Sequence, residues 1–410
     1  MLNYETALRL LLEAAPEPQS QQLPLEEVAG RVLAAPLGAD HDLPPFDKSF
    51  MDGFALRSAD AAAAPVRLQV IGVQAAGRVG QDLSVRPGAT VQIMTGAPLP
   101  EGADAVQMVE KTRRISEGQV EILAPVEAGK HVAAKASEVR KGDTVLKAGQ
   151  TLGPPEIAVL AVFGQSRVEV FRGLTAVIFS TGDELVPVDQ MPDLGQIRNS
   201  NAPMLASQCR RLGVEVRAMP RLPDSPQAVQ QALSEGLADA DAVIFSGGVS
   251  AGEFDFVHKV LGQAGLEVLF HKVAIQPGKP VLLARDPERS KMVFGLPGNP
   301  VSAFVTFEIF VRPALRKWMG QRQWGLYEVS GRLTRPARHK TGRLLFKPAR
   351  TAFDHGEWRI QPIDTKGSAD IVGFSQADSL LLIPADLEQM KSGDSARVLL
   401  LPDHSDLQQS

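Results

Sequence analysis

The chain is poor in residue classes that would mark particular compartments or partners. It has one cysteine, Cys209, among 410 residues, which excludes an intrachain disulfide and a zinc site of several thiolates and fits a reducing cytosol. Aromatic residues are only 5% of the chain, so its cores should be aliphatic. The net charge of −4 argues against a nucleic-acid or membrane surface as the main partner. Any anion site must therefore be built locally.

Long apolar runs and the common phosphate motifs are also missing. No run approaches a membrane span, and the first residues lack the basic region of a signal peptide, so a cytoplasmic protein is expected. Gly278-Lys279 is followed by Pro280, and no G-x-G-x-x-G follows a strand, so neither a P-loop nor a dinucleotide site is supported. The histidines show no paired spacing. A hard cation such as Mg²⁺ fits the carboxylates better than zinc does.

The length predicts two to four domains. Apolar spacing predicts helices over 2–15 and 24–34, and the lack of turn residues predicts another over 154–162. Short alternating runs from 65 to 125 predict a small β domain inserted into an elongated helical one. Residues 42–55 are expected to form a long loop, in which Asp52 fits either a functional role or a simple turn cap before Gly53. The turn at Thr95-Gly96 is open to the same two interpretations.

Residues 173–320 alternate between buried strands and helices, which predicts a parallel sheet with helices on both faces. The predicted strands are 175–179, 214–219, 242–245 and 292–294, and the predicted helices include 203–212 and 226–237.

Four glycine-bearing loops are predicted to meet at one edge of this sheet. They span 180–185, 246–250, 276–280 and 295–302. Each alone fits a tight turn, but together they bring Asp183, Glu184, Asp255 and Lys279 to the edge where open α/β sheets bind ligands. The combination predicts a pocket for a phosphorylated ligand and a cation.

Past residue 324 the chain returns to alternating segments, which predict a small β barrel or sandwich followed by a polar tail. A loop over 365–370 either simply turns or carries Ser368 to a neighbouring pocket.

Six motifs, in order, resemble those of the MoeA family of molybdopterin molybdenumtransferases, which is related to the gephyrin E domain. They are Pro-Phe-Asp-Lys-Ser-Phe-Met-Asp-Gly-Phe-Ala at 45–55, Met-Thr-Gly-Ala-Pro at 94–98, Ser-Thr-Gly-Asp-Glu-Leu at 180–185, Ser-Gly-Gly-Val-Ser at 246–250 with Gly-Glu and Asp beyond it, Pro-Gly-Lys-Pro at 277–280, and Leu-Pro-Gly-Asn-Pro-Val-Ser at 296–302.

The resemblance covers nearly the whole chain and implies a multidomain α/β plus β fold. Residues 1–45 with 139–172 would form a discontinuous elongated helical domain, 46–138 an inserted β domain, 173–321 a three-layer α/β molybdopterin-binding domain, and 322–405 a C-terminal β barrel. The resemblance also implies a homodimer, with Asp52 and Thr95 of one subunit facing the α/β pocket of the other.

The implied reaction takes molybdate and adenylylated molybdopterin, with Mg²⁺ as cofactor, and yields molybdenum cofactor and AMP. Asp52 is expected to relay protons to the oxygens that leave molybdate, with Glu184 and Asp255 as further catalytic residues. The expected metal ligands are Asp183, Glu184 and Asp255. The expected substrate-binding residues are Thr95, Asp183, Ser246, Gly247, Gly248, Ser250, Lys272, Lys279, Pro297, Gly298, Asn299, Pro300, Arg343 and Ser368, of which Gly247, Gly248 and Gly298 would offer backbone donors to phosphate and Lys279 would neutralise it.

Two positions depart from the family pattern. Glu138 stands where Asp is more common, and Gln276 stands where a basic residue is common, which leaves Lys279 and Lys272 to supply positive charge. The departure at 276 bears on ligand affinity more than on reaction type. Expected protein partners are a second copy of the chain, the molybdopterin adenylyltransferase and molybdoenzyme-maturation proteins.

Two other functions are compatible with such a fold. A non-catalytic dimeric scaffold that binds molybdopterin would not need Asp52, Asp183, Glu184 and Asp255 together. A nucleotide pyrophosphate hydrolase built on a related α/β domain would not need the inserted β domain.

Overall fold

A computed structural model describes residues 1–77, 83–218, 221–249, 256–340 and 342–402. The chain divides into two compact units. The first unit comprises Met1–Ala34, Gly149–Gly153 and Val168–Ser410, and the second comprises Ala35–Ala148 and Pro154–Arg167. In the part of the chain so described, no helix is both long and apolar enough to cross a membrane.

A six-stranded sheet forms the centre of the first unit. Its spatial order is Glu215–Ala218, Thr175–Ser180, Ala242–Ser246, Lys291–Leu296, Leu282–Asp286, Glu267–His271. The first four strands are parallel, as predicted, although Met219 at the end of one predicted strand lies outside the described residues. The last two are antiparallel and were not predicted, so the sheet is mixed.

Helices cover both faces of this sheet and give three layers. Ala176 and Ile178 face one hydrophobic cluster, while their neighbours Val177 and Phe179 face the other, because successive side chains of a strand point to opposite faces. The helices on the first face are Tyr4–Ala14, Asn201–Arg211, Pro300–Thr306 and Arg312–Trp318, with a π-helical segment Phe307–Val311; those on the second are Pro226–Asp239 and Phe256–Gln263. The predicted helices beginning near 203 and at 226 are confirmed.

The predicted helix over 24–34 is wrong. Ser20–Pro24 is a strand, Leu25–Glu27 is a single 3-10 turn, and Gly30 has a left-handed φ of 74° that stops any helix. Beyond it, Val32 and Leu33 form isolated β-bridges. The apolar spacing that resembled a helix instead buries Val28 at the end of the 3-10 turn and Val32 in a β-bridge.

The C-terminal part of the first unit is a closed five-stranded barrel rather than a sandwich. The strand order is Leu344–Asp354, Glu357–Pro362, Tyr327–Leu333, Ser395–Leu400, Ser379–Ile383, and the last strand pairs back with the first. A short strand, Ile275–Gln276, pairs with Leu344 and Leu345 and adds a sixth strand to the barrel sheet. Short strand pairs complete this unit, together with the turn of helix Ile371–Phe374. They are Ser20–Pro24 with Arg167–Phe171, Leu185–Val186 with Ile197–Arg198, and Ala337–Arg338 with Gln389–Met390.

The second unit is built on another six-stranded sheet. Its order is Ala105–Met108, Gly53–Leu56, Ala89–Ile93, Val66–Gln74, Gln119–Ile122, Thr112–Ser116. The unit is completed by short strands, helices and the 3-10 turn Val109–Lys111. The strands are Lys48–Ser49 with Val132–Ala133 and Leu37–Gly38 with Thr144–Leu146, and the helices are Ser58–Ala61 and Pro154–Val162.

The sequence placed Gly53 in a loop, and the structure corrects this: Gly53–Leu56 is buried throughout and pairs on both sides. A Cβ atom on Gly53 would lie 2.0 Å from the Gln107 carbonyl oxygen, so only glycine fits this close strand contact.

Candidate active site

A cavity of about 1060 Å³ lies in the first unit, where the parallel strands of the α/β sheet end. Residues from five loops of the α/β part and from the barrel line it. The predicted loop around Lys279 does reach this edge, but for a reason that the sequence did not reveal. It precedes the antiparallel strand Leu282–Asp286, whose start lies beside the end of the parallel strand Lys291–Leu296.

The Gly247-Gly248 turn forms one wall of the cavity. Both residues have left-handed φ angles, 94° and 66°, and a Cβ atom on Gly247 would lie 2.6 Å from the Thr181 carbonyl oxygen. The Gly247 amide donates to the Leu296 carbonyl at 3.0 Å. It is therefore not available to a phosphate, and the prediction that it would donate to one is wrong. Among the described residues, the amides of Gly248 and Gly298 have no protein acceptor.

The loop after strand Lys291–Leu296 connects the α/β part to the barrel. Asn299 Nδ2 donates to Ser368 Oγ at 2.8 Å, and the Val301 amide donates to the Ser368 carbonyl at 3.2 Å. Pro300 begins a helix, where its missing N–H costs no hydrogen bond. Ser368, distant in sequence, is thereby held at the cavity wall.

Basic side chains line the barrel side of the cavity. Arg343 Nη2 donates to Gln276 Oε1 at 3.3 Å, so the glutamine orients a cation instead of supplying one. Lys347 is paired with Asp364 at 2.9 Å. Arg338 and Lys340 also line the cavity, and within the described ranges neither is in an ion pair. The sequence offered one signal for them, the basic run that leads to Gly342.

Carboxylates gather at the α/β side. Glu184 and Asp224 line the cavity, and the Asp224 amide donates to Asp183 Oδ1 at 3.4 Å. Burial, followed by the negative charges of Asp183 and Glu184, raises the pKa of the Asp224 carboxyl. Asp183 also lies 3.8 Å from Arg221. Asp224 was not among the expected site residues; its position just before a predicted helix made it look like part of a cap.

These carboxylates fit Mg²⁺ only as a site completed by a ligand. No group of three metal-ligating side chains occurs within residues 1–77, 83–218, 221–249, 256–340 and 342–402. Mg²⁺, however, is usually held by one or two carboxylates together with substrate phosphates. Burial and, after it, repulsion from Asp183 and Glu184 raise the pKa of Asp224, and a bound cation would relieve the repulsion.

Asp52 and Thr95 form a pair at the surface of the second unit. Asp52 Oδ1 accepts hydrogen bonds from the Thr95 amide at 2.7 Å and from the Thr95 hydroxyl at 2.8 Å. The amide bond first, and the hydroxyl bond second, lower the pKa of the Asp52 carboxyl. Phe50 and Met51 beside it are exposed. The sequence singled out both partners without indicating that they touch.

Profiles of three families match successive parts of the chain. Residues 2–164 match the MoeA N-terminal region (domains I and II), residues 177–317 a probable molybdopterin-binding domain, and residues 330–401 the MoeA C-terminal region (domain IV). Molybdopterin molybdenumtransferase from Synechococcus elongatus is 42% identical over 97% of this chain and 99% of its own. The chain belongs to the MoeA family.

Further MoeA relatives agree with this assignment. Molybdopterin molybdenumtransferase from Bacillus subtilis is 32% identical over 97% of this chain and 93% of its own. The crystal structure of the molybdopterin biosynthesis MoeA protein from Pyrococcus horikoshii has a TM-score of 0.81, 32% identity, and coverage of 98% of this chain and 99% of that one.

Besides Asp52 and Thr95, which lie in the second unit, the expected site residues fall into three groups. Those that line the cavity are Glu184, Gly247, Gly248, Lys279, Pro297, Gly298, Asn299, Arg343 and Ser368. Asp183, Ser246, Lys272 and Pro300 do not line it; Ser246 is buried, and Lys272 is held by a backbone bond to Val281 at 3.0 Å. Ser250 and Asp255 lie outside the described residues. Glu138, the other departure, lies 3.7 Å from Lys48 in the second unit.

Proposed function

We propose that this protein is a molybdopterin molybdenumtransferase that inserts molybdate into adenylylated molybdopterin and releases AMP. The observation that carries the proposal is the cavity of about 1060 Å³, which combines bare backbone amides, cations and carboxylates in a chain whose full-length relatives bear this name. Its volume suits a ligand as large as a nucleotide-linked pterin.

Recognition of the anionic substrate falls to two kinds of donor. The amides of Gly248 and Gly298 are directional donors for phosphate oxygens, and Lys279 adds positive charge at the same loops. Arg343, oriented by Gln276, is placed to bind a second oxyanion on the barrel side. These two groups of donors fit two anions, the pyrophosphate of the substrate and molybdate.

Asp183, Glu184 and Asp224 would hold Mg²⁺ together with phosphate oxygens. The ion would neutralise the charge that develops on those oxygens as AMP leaves. Asp255, which the resemblance implies as a metal ligand, remains one of the proposed Mg²⁺ ligands.

Asp52 is the proposed proton relay. When two sulfur atoms of the pterin replace molybdate oxygens, those oxygens must leave as hydroxide or water and therefore take up protons. Because its pKa is lowered, Asp52 begins as a carboxylate, so it would first accept the proton that a pterin thiol releases on binding molybdenum and then pass it to a leaving oxygen. Thr95 donates two hydrogen bonds to Asp52 Oδ1, so Asp52 Oδ2 is left for the substrate.

The proposal includes a cytoplasmic homodimer in which Asp52 and Thr95 serve the cavity of the other subunit. The resemblance to MoeA supports this arrangement. The exposed apolar side chains Phe50 and Met51 beside Asp52 are consistent with a surface that becomes covered.

One assay tests the function. Purified protein is incubated with adenylylated molybdopterin and Mg²⁺, with and without molybdate, and AMP and molybdenum cofactor are measured. Cofactor formation coupled to AMP release is the expected result. AMP release indifferent to molybdate would replace the proposal with a hydrolase, and binding without either product would replace it with a scaffold. Chelation of Mg²⁺ should lower the rate, and an unchanged rate would remove the ion from the proposal.

A further inference from the structure

Asn201 is a buried polar residue that no sequence motif singled out. It begins the helix Asn201–Arg211 and is 9% exposed. Its Nδ2 atom donates to Ser246 Oγ at 2.8 Å and to the Gly298 carbonyl at 2.7 Å. One amide group therefore joins the ends of two neighbouring strands, each of which leads into a cavity loop.

The orientation of this amide follows from its partners. A carbonyl oxygen only accepts, so the atom facing Gly298 must be the NH₂ group of Asn201. Its two hydrogens then match its two acceptors. The other amide atom, Oδ1, is buried and has no partner among the described residues. Burying Oδ1 without a partner costs free energy, so the role of this side chain lies in the two hydrogen bonds that its NH₂ group donates.

The two loops that Asn201 joins approach each other closely. A Cβ atom on Gly298 would lie 3.7 Å from Gly247 Cα, and the Gly247 amide donates to Leu296 just before the second loop. Gly248 lies on one of these loops and Gly298 on the other, both line the cavity, and within the described ranges neither amide has an acceptor. Their separation depends on how the junction is fixed.

We propose that Asn201 is a positioning residue that sets the spacing of the Gly248 and Gly298 amides so that both reach one substrate phosphate. This inference rests on the proposed function. Asn201 does not touch the substrate: it acts through Ser246 and the Gly298 carbonyl. Its loss should therefore weaken substrate binding while the chemical step of bound substrate proceeds at nearly the normal rate.

Gln208 offers a matched control. It lies two turns further along the same helix, is 5% exposed, and donates to Glu308 Oε1 at 2.7 Å, a residue that does not line the cavity. Asn201→Ala and Gln208→Ala both remove a buried amide from this helix, and both should lower the unfolding temperature. Only Asn201→Ala should raise KM for adenylylated molybdopterin, by roughly five- to thirty-fold, with kcat within about twofold.

Two further variants test the same positioning role. Asn201→Asp keeps the shape but places an acceptor against the Gly298 carbonyl, and it should raise KM even if Asn201→Ala does not fold. The effects of Asn201→Ala and Ser246→Ala on KM should be less than additive, because both break the same link. An active wild type with equal KM in wild type and Asn201→Asp, or equal KM changes for Asn201→Ala and Gln208→Ala, would overturn the positioning role. An inactive wild type would instead overturn the proposed function.

Discussion

Replacing Asp52 by asparagine is the most direct test of the proposed proton relay. The amide oxygen of the new side chain can accept the same two hydrogen bonds from Thr95, at 2.7 and 2.8 Å in the parent chain, so the geometry should persist while the charge and the proton site are lost. General acid–base catalysis contributes about 10² to 10⁴ in rate, so we expect kcat to fall by that factor with KM little changed. The loss should be visible in single-turnover formation of molybdenum cofactor.

The dependence of activity on pH is a second test of the relay. Because the pKa of Asp52 lies below its usual 3.8, the activity due to its carboxylate should decline only at a lower pH than an ordinary aspartate would give. Removing the hydroxyl bond in Thr95→Val should move this decline to higher pH. Asp60→Asn is a matched control, since Asp60 also accepts a backbone amide, from Gly88 at 3.1 Å in the same unit. Asp52→Asn with wild-type kcat, or an equal loss in Asp60→Asn, would refute the relay.

Three further changes test the fold and the cavity. Glu308→Ala leaves buried Arg312 unpaired and should lower the free energy of unfolding by about 3–5 kcal/mol in urea denaturation, and a loss under about 1 kcal/mol would contradict the pairing. Gly247→Ala places a methyl group 2.6 Å from the Thr181 carbonyl at a φ of 94°, so it should abolish substrate binding in calorimetry; retained affinity would mean that the turn can shift. Asp224→Asn removes an acid whose pKa is raised, so it should raise the melting temperature at pH 7, an advantage that disappears at acidic pH where the parent carboxyl is protonated. A difference in melting temperature that stays constant across pH would exclude the raised pKa of Asp224 as its cause.

The parallel strands could be predicted because they are buried on both faces and appear as continuous apolar runs such as 242–245. The antiparallel strands at the edge were missed because their sequences mix apolar and charged residues, as in Glu267–His271. Gly53–Leu56 was missed for another reason. Its pairing partners Ala89–Ile93 and Ala105–Met108 lie far along the chain, and the polar residues before it suggested a loop.

The candidate site was predictable where glycines and charges sit together in short motifs, as around Lys279. It was not predictable where a single polar residue acquires its role from tertiary contacts. Asp224 matters because Asp183 and Glu184 are folded against it, and Asn201 because two strand ends converge on it. Ser246 shows the opposite case: its motif suggested a ligand contact, but the strand carries it into the interior.

The pairing of Ile275–Gln276 with the barrel strand has a thermodynamic consequence. This short strand belongs to the barrel sheet, while three residues later the same loop carries Lys279 into the cavity wall. The loop therefore cannot swing towards a ligand without breaking main-chain hydrogen bonds to Leu344 and Leu345. Its conformational entropy is lost during folding rather than during substrate binding, so a ligand meets a preorganised wall and retains more of its interaction free energy as affinity.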